Sequence, residues 1–93
     1  MEKYSRLSEI TNQYLHGHLA RLQMSYDNDG SISLQFLYED DNHYWFDYEL
    51  SFDQERKEVD HASHFSEGYL NKVTLNREKD FELAVMNVLL KRI

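Results

Sequence analysis

Three consecutive segments of the sequence alternate between apolar and polar residues with a period of two. They cover residues 20–26, 32–38 and 44–52. Because successive side chains of an extended chain point to opposite faces, each segment predicts a strand with one apolar and one polar face. Such strands form antiparallel sheets that bury one face and leave the other in contact with solvent. This alternation constrains the fold more than any other feature of the chain.

The first turn between these strands predicts how they pair. A slip of one residue would bring apolar side chains opposite polar ones, so the loop length has to preserve the faces. A three-residue loop over residues 28–30, with Gly30 in the left-handed conformation, places Tyr26 opposite Ile32. We therefore predict an antiparallel hairpin at this position.

The second turn follows the same rule. A three-residue loop over residues 40–42, with Asn42 in the left-handed position, places Tyr38 opposite Tyr44. On the polar face this register predicts three cross-strand pairs, namely Leu37 with Trp45, Gln35 with Asp47 and Ser33 with Glu49. The sequence thus predicts a three-stranded antiparallel meander.

Helices are predicted at both ends of the chain. Apolar residues at three- and four-residue steps predict a helix over residues 3–16, which Gly17 ends in the left-handed conformation. A second helix follows Asn76 as N-cap. Its first turns contain acidic residues and its last turn basic ones, as the helix dipole favours, namely Glu78, Asp80, Glu82, Lys91 and Arg92.

The remaining segments complete the predicted fold. Residues 58–65 are consistent with a fourth strand, and residues 66–76 are interpreted as a loop. We expect an α+β fold in the order α-β-β-β-(β)-α, an antiparallel meander sheet with two helices packed on one face. No linker or repeat divides residues 1–93, so a single domain is expected.

Composition excludes several classes of protein. The chain contains no cysteine, which excludes disulfides, thiolate zinc sites and a cysteine nucleophile. It contains no apolar run long enough to span a membrane and begins without the apolar segment of a signal peptide, so we expect a cytoplasmic protein without membrane contact. The formal net charge of −7 argues against direct nucleic acid binding.

The negative charge is concentrated in the middle of the chain. Residues 27–60 contain eleven acidic and two basic side chains and carry −9 of formal charge. In the predicted fold, the polar face of the sheet is not covered by helices, and it presents Trp45 and Leu37 among carboxylates. We interpret these residues, with the neighbouring turn acids, as a partner-binding site made of Leu37, Glu39, Asp40, Asp41, His43, Trp45, Asp47, Glu49, Asp53 and Glu55.

Other kinds of site find less support. Aligning Gly30 with the glycine of a calcium-binding loop puts Phe36 where a glutamate is required. Glu58, His61, His64 and Glu67 recur every three residues, but they match no recognised zinc motif. No activated nucleophile or phosphate-binding glycine loop is present, so we expect neither an enzyme nor a cofactor or metal site.

These observations favour a small protein-binding inhibitor or masking module. Its acidic residues would occupy a basic surface of a nucleic-acid-handling protein, and Asp47 and Glu49 would imitate neighbouring phosphates. In size, acidity and lack of catalytic motifs the chain is similar to phage anti-CRISPR and anti-restriction proteins, a similarity of composition that no motif carries.

Alternatives remain open at this stage. The chain is equally consistent with an immunity protein or antitoxin that neutralises a basic nuclease toxin. A small metal-binding or enzymatic domain that uses its histidine and glutamate residues is a further alternative, and a domain whose charge serves only solubility is another. The second predicted helix is apolar around most of its circumference, so the protein is expected to be a monomer or a homodimer.

Overall fold

The antiparallel meander predicted from the alternation is present and larger than expected. The computed structural model describes residues 2–67 and 72–90. The elements are α1 (Glu2–Leu15), β1 (Gly17–Tyr26), β2 (Ser31–Asp40), β3 (Trp45–Asp53), β4 (Glu58–Glu67), β5 (Lys72–Thr74) and α2 (Lys79–Leu90). In this part of the chain five strands form one antiparallel sheet in the order β1-β2-β3-β4-β5. The α+β fold class is confirmed.

The first hairpin has the predicted register. Tyr26 lies opposite Ile32, and Gly30 has a φ of 88°, the left-handed conformation that the loop requires. A register shift between Leu19 and Arg21 interrupts the alternation near the start of β1. As a result, Leu19 is buried against the core, whereas Ala20, which the pattern assigns to the apolar face, is exposed.

The second hairpin is shifted by two residues from the predicted register. Tyr38 lies opposite Phe46, and the left-handed residue is His43, with a φ of 66°, in place of Asn42. The turn is thus a three-residue loop over residues 41–43. Asp40 stabilises it by accepting hydrogen bonds from the backbone N–H groups of Asn42 and Tyr44. Because the shift is an even number of residues, every side chain keeps its predicted face.

The sheet continues beyond the predicted strands. The fourth strand is confirmed as β4, which extends two residues past the predicted segment 58–65. The interpretation of residues 66–76 as a loop is wrong, since Lys72–Thr74 pairs with the end of β4. A strand of three residues is too short to show a recognisable alternation. Gly68 lies outside the described residues.

Both helices differ from the prediction at their ends. α1 stops at Leu15, and His16 (φ 54°), not Gly17, adopts the left-handed conformation. Gly17 is required for another reason, because a Cβ atom there would lie 2.6 Å from Cδ2 of Tyr38. α2 begins at Lys79, so Asn76 is not its N-cap, and Lys91 and Arg92 lie outside the described residues.

The two helices cover the same face of the sheet. The ring of Phe81 on α2 contacts Phe36 at a centroid distance of 5.4 Å and Tyr48 at 5.1 Å. Leu7 and Ile10 of α1 are buried in the same cluster. Neither of the described helices is long and apolar enough to cross a membrane. Most of the candidate residues within the strands lie on the opposite face of the sheet.

Candidate functional site

The face of the sheet opposite the helices carries most of the predicted partner-binding residues, and we call it the helix-free face. Strand pairing assigns to it alternate residues of β1 to β4, which include Arg21, Gln23, Gln35, Leu37, Glu39, Trp45, Asp47, Glu49, His61, Ser63 and Phe65. The pairs differ from those predicted because of the shift in the second hairpin. Leu37 lies opposite Asp47 rather than Trp45, and Gln35 lies opposite Glu49.

Asp47 is buried, although it points away from the helices. Only 4% of its surface is exposed, because Leu37 on β2 and Phe65 on β4 lie directly opposite it on either side. Its Oδ2 accepts a hydrogen bond of 3.0 Å from Nε2 of Gln35. None of the described residues donates a hydrogen bond to its Oδ1. The expectation that Asp47 is an exposed surface charge is therefore wrong.

Trp45 is exposed at the start of β3. It lies opposite Glu39, and 39% of its surface is accessible, which is high for the largest apolar side chain of the protein. The carboxylate of Glu39 is partly shielded and lies 3.4 Å from Nδ1 of His43. An indole beside a carboxylate on an open face is a favourable combination for contact with another protein.

The hairpin between β2 and β3 adds two acidic residues beside Trp45. Oδ1 of Asp40 accepts backbone hydrogen bonds of 2.9 Å and 3.0 Å within the turn, so this carboxylate has a structural role. Asp41, by contrast, has 84% of its side chain exposed and lies 3.7 Å from Nε2 of His18. Asp41 is thus the acid of this hairpin that is most accessible to a partner.

Asp53 and Glu55 lie at the opposite end of the sheet, in the turn between β3 and β4. Trp45 and Asp53 are the two ends of β3, which places them about 26 Å apart at the usual rise of a strand. Oδ1 of Asp53 accepts hydrogen bonds from the backbone N–H groups of Glu55 and Arg56, at 2.8 Å and 2.9 Å. The ten predicted residues therefore do not lie together at one site.

The first hairpin, which adjoins the turn between β3 and β4, also uses an aspartate side chain to stabilise its turn. The turns at Gly30 and Gln54 are in contact, because the backbone N–H of Gln54 donates to the carbonyl oxygen of Gly30 at 3.4 Å. Asp29 accepts a hydrogen bond from the backbone N–H of Ser31, which lowers the pKa of this carboxyl. Part of the acidity of the middle segment is therefore explained by turn formation.

A shallow depression lies beside Asp47 on the helix-free face. Its volume is about 200 Å³, and it is lined by Arg21, Gln23, Gln35, Leu37 and Asp47. Sequence reasoning left Arg21 and Gln23 out of the site, although the alternation of the first strand assigns both to its polar face. Extending the predicted polar face from the second and third strands to the neighbouring first strand would have included both residues.

A buried polar network lies on the other side of the sheet, beneath the start of α2. The hydroxyl of Tyr48 donates to Oε2 of Glu82 at 2.5 Å and accepts from the backbone N–H of Glu78 at 2.7 Å. Arg77 donates to both carboxylate oxygens of Glu82, from Nε at 3.1 Å and from Nη2 at 2.5 Å. Only 2% of Glu82 is exposed, so this residue is part of the core and does not only complement the helix dipole.

Burial and hydrogen bonding shift the pKa values of this network. Burial by itself raises the pKa of Glu82, but the hydrogen bonds from Arg77 and Tyr48 outweigh it and hold the pKa below that of an ordinary glutamate. Burial raises the pKa of Tyr48 and of Tyr38. At neutral pH the network therefore holds an ionised glutamate and neutral tyrosines.

The two histidines of β4 lie on opposite faces of the sheet, as predicted. His61 is on the helix-free face, whereas His64 is buried and stacks on Tyr48 at a centroid distance of 4.3 Å. Nδ1 of His64 lies 2.9 Å from the carbonyl oxygen of Asn76 and must be protonated to donate to it. In the tautomer that carries its proton on Nδ1, Nε2 accepts from the hydroxyl of Tyr38 at 2.6 Å. We assign His64 a role in the core.

Within residues 2–67 and 72–90, no three histidine, aspartate or glutamate side chains are grouped in a way that would bind a metal ion. Searches against protein-family models, curated proteins and solved structures gave no match to the chain. Functional inference therefore depends on the helix-free face itself.

Proposed function

We propose that the protein is a small binding module that masks a basic surface of a nucleic-acid-handling protein. The contact surface consists of the helix-free face and the adjoining β2–β3 hairpin. The single observation that supports this most is the exposure of Trp45 next to carboxylates on the face that the helices leave uncovered. The proposal assigns no catalytic step to the protein.

The composition of this surface supports binding to a cationic partner. Trp45 and Leu37 supply apolar area, which is the kind of contact that provides most of the binding energy at protein interfaces. Glu39, Asp41 and Glu49 supply negative charge around it. Complementary charge accelerates the encounter with a basic partner, whereas the apolar contact slows dissociation.

The structure limits which of the acidic residues can imitate the phosphates of a nucleic acid. Asp47 is below the surface and Glu49 is half-buried, so the two carboxylates do not form an exposed pair with phosphate spacing. Asp53 and Glu55 belong to the far end of the sheet. The proposal therefore retains the masking of a basic surface and omits a continuous track of phosphate-like charges.

The experiment is a capture of partners from the native host with the immobilised protein, followed by mass spectrometry. Wild type is compared with Trp45→Ala and Asp41→Lys, and the captured protein is then tested for loss of nucleic acid binding when the module is added. We expect a basic nucleic-acid-binding protein whose capture is strongly reduced in both variants.

Glu55→Lys is the matched control for Asp41→Lys. Both substitutions reverse one exposed charge, but Glu55 lies at the opposite end of the sheet. Capture that responds equally to Asp41→Lys and Glu55→Lys would show that net charge alone drives association. Capture that survives Trp45→Ala unchanged would contradict the proposed surface.

A further inference from the structure

We propose that the depression beside Asp47 receives the guanidinium group of an arginine side chain on the partner protein. This inference rests on the proposed function and specifies the chemistry of one contact within it. The depression lies on the helix-free face between β1, β2 and β3, next to the exposed apolar contact at Trp45. It is therefore inside the surface assigned to the partner.

The first observation is a buried carboxylate that is only half satisfied. Asp47 is 96% buried, and Oδ2 accepts from Gln35 while Oδ1 receives no hydrogen bond from any described residue. A buried carboxylate oxygen without a donor carries a large desolvation cost. A group that enters the depression, which Asp47 lines, would supply the missing donor once the side chains that cover Oδ1 move aside slightly.

The second observation is the chemistry of the lining. An ionised carboxylate only accepts hydrogen bonds, so the ligand has to be a donor, and the net negative charge of the protein favours a cation. Gln35 donates to Asp47 through Nε2, which makes its Oε1 a second acceptor beside the carboxylate. Leu37 provides an apolar wall against which an aliphatic stem can lie.

These features favour arginine over lysine. The guanidinium group is planar, offers several N–H donors in a fixed arrangement and is more weakly hydrated than an ammonium ion. A guanidinium group therefore loses less hydration free energy on transfer to a site where the carboxylate is almost fully buried. A lysine ammonium would reach Oδ1 as a single point charge and give up more of its hydration.

Arg21 adds a distinctive expectation, because it lines the same depression. Among the described side chains it forms no ion pair with Asp47, and its residue is exposed. Its positive charge opposes an incoming guanidinium group. Replacement of Arg21 by glutamine should therefore strengthen binding of the ligand.

The test uses the full chain, labelled with nitrogen-15, and N-acetyl-arginine amide as the probe. Binding is followed by NMR through the side-chain NH₂ of Gln35 and the backbone amides of Leu37 and Asp47. At about 50 mM salt we expect saturable shifts that are at least about fivefold weaker with the corresponding citrulline and lysine derivatives. Arg21→Gln should tighten binding at least about twofold.

The decisive variant is Asp47→Asn, with Glu49→Gln as its matched control. Each removes one negative charge from β3 on the same face, but only Asp47 lines the depression. We expect the shifts to be lost in Asp47→Asn and retained within about twofold in Glu49→Gln. Asp47→Leu, between Leu37 and Phe65, serves as a second variant if Asp47→Asn does not give a folded spectrum.

Several results would overturn the inference. These are the absence of saturable shifts with the arginine probe, equal binding of the lysine or citrulline derivative, and equal binding by the folded Asp47 variants. A failed probe titration combined with a partner capture that depends on Trp45 would refute the arginine contact and leave the masking function supported. A positive titration without any captured partner would support the contact and not the masking function.

Discussion

The hydroxyl of Tyr48 offers a quantitative test of the buried network that fixes α2 to the sheet. Tyr48→Phe removes one oxygen atom and leaves the ring, which stacks on His64 and contacts Phe81. The lost oxygen donates to Glu82 at 2.5 Å and accepts from the backbone N–H of Glu78 at 2.7 Å. Both Tyr48 and Glu82 are almost fully buried, so water cannot easily replace the first of these bonds.

The expected magnitude follows from the charge of the acceptor. A hydrogen bond to a charged group contributes about 1.5–3 kcal/mol, and loss of the donor leaves part of the Glu82 carboxylate without a partner. Arg77 still pairs with both carboxylate oxygens, which prevents the larger loss seen when a buried charge is fully orphaned. We therefore expect the free energy of unfolding to fall by about 2 kcal/mol.

The assay is thermal and urea unfolding of the wild type and of Tyr48→Phe at neutral pH. For a domain of this length the loss corresponds to a Tm lower by about 8–16 °C. Tyr26→Phe is the matched control, because Tyr26 is 62% exposed and its change should leave Tm nearly unchanged. In a double-mutant cycle with Glu82→Gln, the losses should be clearly non-additive.

A loss below about 0.5 kcal/mol in Tyr48→Phe would refute this reasoning. Additive losses in the cycle would also refute it, since they would show that the hydroxyl and the carboxylate do not act together. Either result would mean that packing of the rings, and not the network, holds the start of α2 on the sheet.

The remaining predictions concern pH, packing and association. The folded-state pKa of Glu82 is lowered, so its contribution to stability is present above the pKa of an unfolded glutamate and is lost as the pH falls through the folded value. The difference in unfolding free energy between wild type and Glu82→Gln should therefore shrink below about pH 4.5. A constant difference in urea titrations across this range would contradict the assignment. Gly17→Ala should lower the unfolding free energy by about 1–3 kcal/mol, because the added Cβ would lie 2.6 Å from a ring carbon of Tyr38; a Tm equal to that of wild type would show that the ring moves aside without cost. Asp47→Leu should raise Tm, since it replaces a half-satisfied buried carboxylate by an apolar side chain, and a marked decrease would mean that the hydrogen bond from Gln35 outweighs the cost of burying the carboxylate. The association rate with the partner should fall with increasing salt in stopped-flow measurements, and a rate independent of salt would argue against electrostatic steering.

Local sequence patterns determine much of this fold. The alternation over residues 20–26 and 32–38 predicts both faces of the first hairpin apart from Ala20, and Gly30 predicts its turn. These local patterns predict well because, in a short hairpin, the length of the turn fixes which residues of the two strands lie opposite each other and therefore which face each side chain occupies. The faces survive even where the register is wrong, as in the second hairpin, because the error is two residues.

The second hairpin shows what a local pattern leaves open. Three-residue loops over residues 40–42 and 41–43 differ by a two-residue shift in pairing and keep the same faces, so alternation cannot distinguish them when the flanking residues suit both. Asp40 favours the observed turn through its hydrogen bonds to Asn42 and Tyr44, an effect that depends on the side chain and not on the apolar pattern.

Sequence reasoning also placed Asp47 on the correct face but misjudged its environment. The pattern assigns it to the polar side of β3, and exposure would follow if its neighbours were small or polar. In the folded protein, Leu37 and Phe65 lie on either side of it and cover it. Phe65 comes from β4, whose pairing the sequence leaves undetermined.

The sequence by itself thus predicted the class of the fold, the faces of β2 and β3 and of most of β1, and an acidic middle segment with Trp45 on the polar face of its strand. Only the tertiary structure decided which acids are available to a partner, since Asp29, Asp40 and Asp53 bind turn backbone and Asp47 is buried. The physical reason is that charge belongs to a residue, whereas exposure and hydrogen bonding belong to the neighbours that folding brings from distant parts of the chain.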